Sequence, residues 1–197
     1  MALYIASPST SEKNLSLVFS KELTNDENYA FNGKPIIDWN PIKFKWYLKE
    51  GMSKDDLILN DFVLVFGAGM NAAVNKKTKL IIENEFPEKV EFLPIQILQE
   101  SIEFYLINVI NLIDGALNQK ESEFKTRSNG GRGRLEKAIF AEENIPSNTI
   151  FSFPESPRSI MCSGEKLRDL IAAHNLTGLE FKVCSVGNVN EVESKVG

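Results

Sequence analysis

Three short stretches of this chain carry residue types that could do chemistry. Val63 to Ala72 (VLVFGAGMNA) runs an apolar, strand-like segment into Gly67 and Gly69, the pattern with which a dinucleotide-binding turn brings backbone N–H groups against a pyrophosphate. Ser163-Gly-Glu-Lys166 spells S-x-x-K, the nucleophile signature of serine acylases. The polar run from Asn118 to Gly133 holds Lys125, Arg127, Arg132 and, just beyond it, Arg134 around "SNGGRGR", a composition that could cradle phosphate or RNA.

Each stretch lacks what its chemistry requires nearby. A dinucleotide turn needs a crossover helix and then a second strand ending in an acid about 20 positions past the first glycine. With Lys79 to Ile82 as that strand and Glu83 as the acid, only Ala72 to Thr78 remain for the helix, about two turns and too short. The S-D-N and K-T-G companions of S-x-x-K are absent, so Ser163 is read as a helix cap with Glu165 in the first turn. The glycine-arginine run has no helix start behind it and reads as a mobile loop across 118–133. His174, the single histidine, falls in a last helical turn with no motif supplying an orienting acid or a nucleophile. Asn175-Leu-Thr177 fits a glycosylation sequon but is read as a turn through Gly178 into the final strand. Cys162 and Cys184 sit in apolar, strand-like stretches as free thiols, and one histidine with two distant cysteines makes no zinc site. No catalytic residue, cofactor or metal is expected.

The formal charge of −5 argues against nucleic acid or an anionic membrane surface as a partner and favours basic proteins. No apolar run approaches the roughly 20 residues of a membrane span, and the N-terminal residues lack the basic start of a leader, so a cytoplasmic location is expected.

The elements that must position these residues read as α+β: one domain over 1–197, a mixed or mostly antiparallel sheet with a few helices. Residues 1–60 alternate short strands (Leu3 to Ala6, Leu15 to Ser20) with turns, and the sheet-and-helix core falls in 61–115 and 135–186. Lys54 to Leu57 reads as a short helix or turn, Val90 to Leu98 as a strand, and Phe104 to Asp114 as a central strand or a buried helix. "FNGKPIIDWNPIKFKWYL" gathers Phe31, Trp39, Phe44, Trp46 and Tyr47, either as a core-covering extended segment or as an exposed aromatic patch for a protein partner. After Gly69 the spacing places Val74, Thr78, Ile81, Ile82 and Phe86 on one helical face, with Lys76, Lys79 and Glu83 outward and Pro87 ending the helix.

Laid beside the C-terminal part at an offset of 89 residues, this segment repeats. Lys77 meets Lys166, Ile82 meets Ile171, and Val90-Glu91-Phe92 meets Leu179-Glu180-Phe181, giving two similar strand-helix-strand units.

"SGEKLRDLIAAHNLTGLEFKV", preceded in order by "FNGKPIIDW", "DDLILNDFVLVF", a helix with "FPEKVEFLPI", and "YLINVINLID", resembles a family of bacterial immunity proteins from polymorphic-toxin systems. The resemblance spans Phe31 to Val183, with Asn71 or Asn75 standing where a serine is expected before the first helix. It implies a non-enzymatic cytoplasmic protein that binds a cognate toxin domain and blocks it. Candidate contacts are the acidic set Glu83, Glu85, Glu88 and Glu91, able to imitate a phosphate backbone, and the aromatic set Trp39, Trp46 and Tyr47. The alternatives are an enzyme using the Gly67–Gly69 turn and an adaptor or loading chaperone for a secreted effector. Oligomeric state stays open.

Overall fold

The computed structural model describes residues 1–19, 33–66, 71–98, 100–126 and 132–187. Phe31 and the Gly67–Gly69 pair lie outside them. The strands are β1 (Leu3–Pro8), β2 (Ser16–Phe19), β3 (Lys43–Tyr47), β4 (Phe62–Phe66), β5 (Asn71–Asn75), β6 (Val90–Ile97) and β7 (Phe104–Val109), then β8 (Glu123–Thr126), β9 (Arg132–Lys137), β10 (Ile139–Ala141), β11 (Ile150–Phe153), β12 (Ser156–Ser163), β13 (Leu179–Val183) and β14 (Ser185–Gly187). Among the described residues two α-helices, α1 (Lys76–Glu85) and α2 (Lys166–Ala173), complete an α+β fold of mixed and antiparallel sheets.

One sheet closes into a barrel in the order β2-β3-β6-β7-β5-β4, and a second runs β11-β12-β1-β13. They are two versions of one design. The antiparallel row β4-β5-β7-β6 pairs Phe62 with Val74, Val74 with Tyr105, and Tyr105 with Pro94. The row β11-β12-β1-β13 pairs Ile150 with Cys162, Cys162 with Tyr4, and Tyr4 with Val183. The flanking strands follow suit. β3 lies parallel on β6 (Phe44 against Ile97), and β10 lies parallel on β14 (Phe140 against Val186). β2 bridges β3 and β4, and residues 112–117 bridge β10 and β11 through Leu117–Phe140 and Leu112–Ser152.

In chain order each repeat therefore reads strand, strand, strand, hairpin, helix, strand, and the opening strand of each lies in the other's sheet. β7, which opens the second repeat, sits between β5 and β6, while β1 sits between β12 and β13. The helices carry the same relation. Thr78 and Ile82 are buried in α1 and Leu167 and Ile171 in α2, matching at the offset of 89. Lys77 Nζ donates to the carbonyl of His174 at 3.4 Å and Lys166 Nζ to that of Glu85 at 2.9 Å, so each helix start answers the free carbonyls at the other's end. Lys79 lies over Phe92 and Tyr105, and Arg168 lies over Phe181 and Tyr4.

Three apolar clusters result. One fills the closed barrel with Leu17, Phe44, Val65, Ile95 and Leu106. Another lies on the inner face of the second sheet with Leu3, Phe140, Phe151 and Met161. The third joins the two sheets and both helices, and burial of Ile82 and Ile171 there contributes about 1.5–3 kcal/mol each.

Four local expectations are corrected. Val74 is a β5 residue, so the helix starts later than its periodicity suggests; of the two asparagines offered for the helix start, Asn75 caps α1 by accepting the N–H of Thr78 at 2.9 Å. Ser163 ends β12 and does not cap α2. Its hydroxyl donates to the carbonyl of Pro146 and accepts the N–H of Thr149, while Gly164, at φ +68°, turns the chain into the helix. Residues 118–133, expected as a loop, contain β8 and the first part of β9, which pair as an antiparallel ribbon. β13 is followed by the short strand β14.

Candidate partner-binding surfaces

The four acids expected to act together are set to different tasks. Glu83, exposed, pairs with the half-buried Lys79 at 2.6 Å, and Glu85 pairs with Lys166 at 3.3 Å across exposed side chains, where a pair contributes little to stability. Glu88 is exposed, at φ +60° beyond Pro87. Glu91 turns inward, accepting the N–H of Ile36 at 3.1 Å and the amide of Asn108 at 2.8 Å, so it ties the segment before β3 to the barrel. Lys79, expected outward, lies along the two rings with its stem half-buried.

The aromatic set also divides. In β3 the alternation Lys43, Phe44, Lys45, Trp46, Tyr47 sends Phe44 fully into the barrel and leaves Lys43, Lys45 and Tyr47 outside. Trp46 is half-buried. Its indole N–H donates to Glu100 at 3.0 Å, its ring stands edge-on to Phe104, and Lys54 lies over it at 5.5 Å. The Lys54 ammonium, with Trp46, holds the Glu100 carboxyl below the usual carboxylate range. Trp39 donates its indole N–H to the carbonyl of Pro94 at 2.8 Å and packs against the barrel core. Tyr47 alone of the three is exposed, at 44%, and meets Phe66 edge-on at 5.2 Å. The pairing of β2 with β3 (Ser16–Tyr47) and with β4 (Val18–Phe66) puts both rings on one outer face of the barrel.

Phe66, 42% exposed, is the residue that sequence reasoning missed. "FVLVF" reads as apolar on both faces, and only the barrel's closure shows that its last residue points out. Leu48, Met52, Ile58 and Leu59, in the same part of the chain, are exposed as well.

The remaining candidates for chemistry are structural. His174 is the residue closing α2, with its carbonyl taken by Lys77. The Tyr4 hydroxyl donates to Glu165 and accepts from Arg168 at 2.9 Å, and the Glu165 bond raises the phenol's pKa. This cluster is the second repeat's counterpart of Lys79 with Phe92 and Tyr105, so packing accounts for it. Burial pushes the Cys162 thiol up to about 12 and raises that of Cys184. Among the described residues no group of three or more His, Cys, Asp or Glu side chains could hold a metal ion. β5 separates the glycine pair from α1, so the strand-turn-helix of a dinucleotide site is not formed there.

A cleft of about 870 Å³ opens between the inner face of the second sheet and the β8–β9 ribbon. Ile5, Phe140, Phe153 and Met161 form its apolar wall, and Lys182 and Cys184 stand where the closed barrel has Leu93 and Ile95.

Residues 49–186, which include the first repeat from β4 to β6 and the second from β7 to β13, match the Immunity protein family (Imm11). The chain belongs to this immunity protein family. No curated protein matches it. In this Imm11 protein the matched region contains both helices and, apart from the β1 residues Tyr4, Ala6 and Ile5, the joining core and the lining of the cleft, and it begins just after Tyr47. Among the described residues no helix is long and apolar enough to cross a membrane.

Proposed function

We propose that this protein protects the cell that makes it by binding a cognate toxin domain in the cytoplasm and occluding it, without chemistry of its own. Membership of the immunity family carries this reading. The exposed Tyr47–Phe66 pair supports it: two rings held on a rigid barrel wall offer large apolar area at little entropic cost, which is how aromatic anchors slow dissociation. In this reading Tyr47 is the anchor, while Trp46, held by Glu100, and Trp39, held by the Pro94 carbonyl, pack against the barrel that carries it. Glu83, Glu85 and Glu88, with Glu91 positioning the segment beneath, supply negative charge that speeds encounter with a basic toxin.

Co-expression with the product of the neighbouring upstream gene tests the reading. The expected result is survival with a complex that co-purifies, weakened at least tenfold by Tyr47→Ala, with association slowed by charge reversal at Glu83 and Glu88. Killing that proceeds equally with this protein present overturns it. A stable complex without protection shows an adaptor or loading chaperone instead.

A further inference from the structure

The two repeats treat one strand edge differently. In the closed barrel the outer edge of β6 is covered by residues 33–42, which run in the same direction: Ile36 N–H meets Glu91, Trp39 donates its indole N–H to the Pro94 carbonyl, and the Ile42 carbonyl accepts from Gln96. β13 is the counterpart of β6, and Val183 stands where Pro94 does, opposite Tyr4 as Pro94 is opposite Tyr105. In the second sheet β13 is the last strand, and among the described residues no strand lies on its other side.

The backbone phase of that edge is fixed. Ser9 N–H donates to the Gly178 carbonyl and Cys184 N–H to that of Leu3, so the even-numbered residues of β13 face β1. Leu179, Phe181 and Val183 therefore turn their N–H and C=O groups to the open side, and Val183 is 69% exposed. The edge runs directly into the cleft, which Lys182, Val183 and Cys184 help to line.

We infer that the β13 edge with its adjoining cleft is a docking site for an extended segment of the toxin, which adds as a strand parallel to β13 and places an apolar side chain against Ile5, Phe153 and Met161. This rests on the immunity reading above. The occupant's chemistry follows from the chain's own template: residues 33–42 run parallel to β6, carry an aromatic donor to its edge carbonyl, and lead into Phe44, which fills the barrel. A second copy of this chain fits less well, because two-fold pairing of β13 with itself is necessarily antiparallel. Strand addition of this kind draws affinity from main-chain hydrogen bonds and specificity from pockets for alternate side chains.

The test compares Val183→Pro with Val183→Thr. Proline removes an N–H that β1 does not use and is tolerated on an edge strand, whereas threonine keeps it. With wild type first shown to bind the neighbouring toxin, the expected result is affinity lowered at least tenfold by Val183→Pro and within threefold for Val183→Thr. The amides of Phe181 and Val183 should gain hydrogen-exchange protection in the wild-type complex. Unchanged binding by a folded Val183→Pro, or no added protection at those amides, overturns the assignment while leaving immunity intact. Should Val183→Pro fail to fold, the exchange measurement on wild type decides alone. A free protein that is dimeric through β13, or whose residues 188–197 protect those amides without toxin, also overturns it. If wild type binds no toxin at all, the immunity reading fails and this inference with it.

Discussion

The exchange of opening strands between repeats makes a sharp prediction about connectivity. Deleting residues 1–8 removes a central strand flanked by β12 and β13, with Leu3, Tyr4 and Ala6 buried and Ile5 against the inner cluster. Burial of Leu3, Tyr4 and Ile5 alone contributes roughly 4.5–9 kcal/mol at about 1.5–3 kcal/mol for each side chain. Hydrogen bonds to two neighbouring strands add about 0.5–1.5 kcal/mol each. The sum reaches the roughly 5–15 kcal/mol that a whole domain possesses, so the truncated chain should be unfolded. A circular permutant that joins Gly197 to Met1 and opens between Ser101 and Ile102 keeps every element, and places β1 after β14 as β7 follows β6. Its only cost is a changed loop closure, about 1 kcal/mol. Urea unfolding followed by circular dichroism reads both variants. The permutant should unfold cooperatively within about 2 kcal/mol of wild type, allowing for that loop term. A folded truncation, or a permutant without a cooperative transition, refutes the equivalence of β1 and β7.

Two further outcomes are expected. Gly178 sits at φ +88°, where an added Cβ would come within 2.3 Å of the Phe62 carbonyl, whereas Gly51, at φ +81°, has open space around it. Gly178→Ala should therefore cost well over 2 kcal/mol and Gly51→Ala only about 1 kcal/mol, the left-handed backbone penalty, by thermal and urea unfolding. In the native protein Cys162 should resist a disulfide reagent at pH 8 and react only after denaturant exposes it. Because the folded thiol's pKa is raised from 9.0 to about 12, its contribution to stability is complete below pH 9 and is lost as pH rises towards 12. Cys162→Ala should flatten that alkaline limb in a pH series of urea midpoints, and an unchanged limb would count against it.

Much of the architecture is legible in local patterns. β6 reads as a strand and β7 as a strand or a buried helix, because their apolar runs are β-branched and aromatic, and the 89-residue offset finds both helices because their buried positions fall in step. Other elements leave weak local marks. β5 is Asn-Ala-Ala-Val-Asn, alanine-rich beside a helix, and only its pairing with β4 and β7 makes it a strand. The β8–β9 ribbon is polar because among its described side chains only Phe124 and Leu135 pack inward, so its composition imitates a loop. Strand exchange leaves no local signal, since Tyr4 meets Cys162 and Val183 only in the fold. For the candidate surfaces, β3's alternation predicts an outward Tyr47, but the fates of Trp39 and Glu91 depend on partners 55 residues away.

Comparison of the repeats separates residues kept for packing from residues free to serve a partner. Phe44 and Phe140 are both buried, and a cation lies over a Phe–Tyr pair in both, because either repeat would lose its core or its helix seat without them. The differences collect at two places. Tyr47 and Phe66 decorate the barrel that is closed, where filling by Leu93 and Ile95 makes a stiff wall on which exposed rings lose little freedom on binding. Lys182 and Cys184 replace that filling in the other repeat, where a cleft remains and, among the described residues, no strand pairs with the outer edge of β13. An open edge is a standing hazard for self-association, so its retention beside a solid twin argues for an occupant. In this reading the closed repeat presents side chains and the open repeat accepts a strand. The prediction that follows is separable energetics: Tyr47→Ala and Val183→Pro should weaken toxin binding additively, within about 0.5 kcal/mol, as expected for distant sites that share no partner. Strong coupling between them in a double-mutant cycle would place both residues in one continuous contact and refute the division.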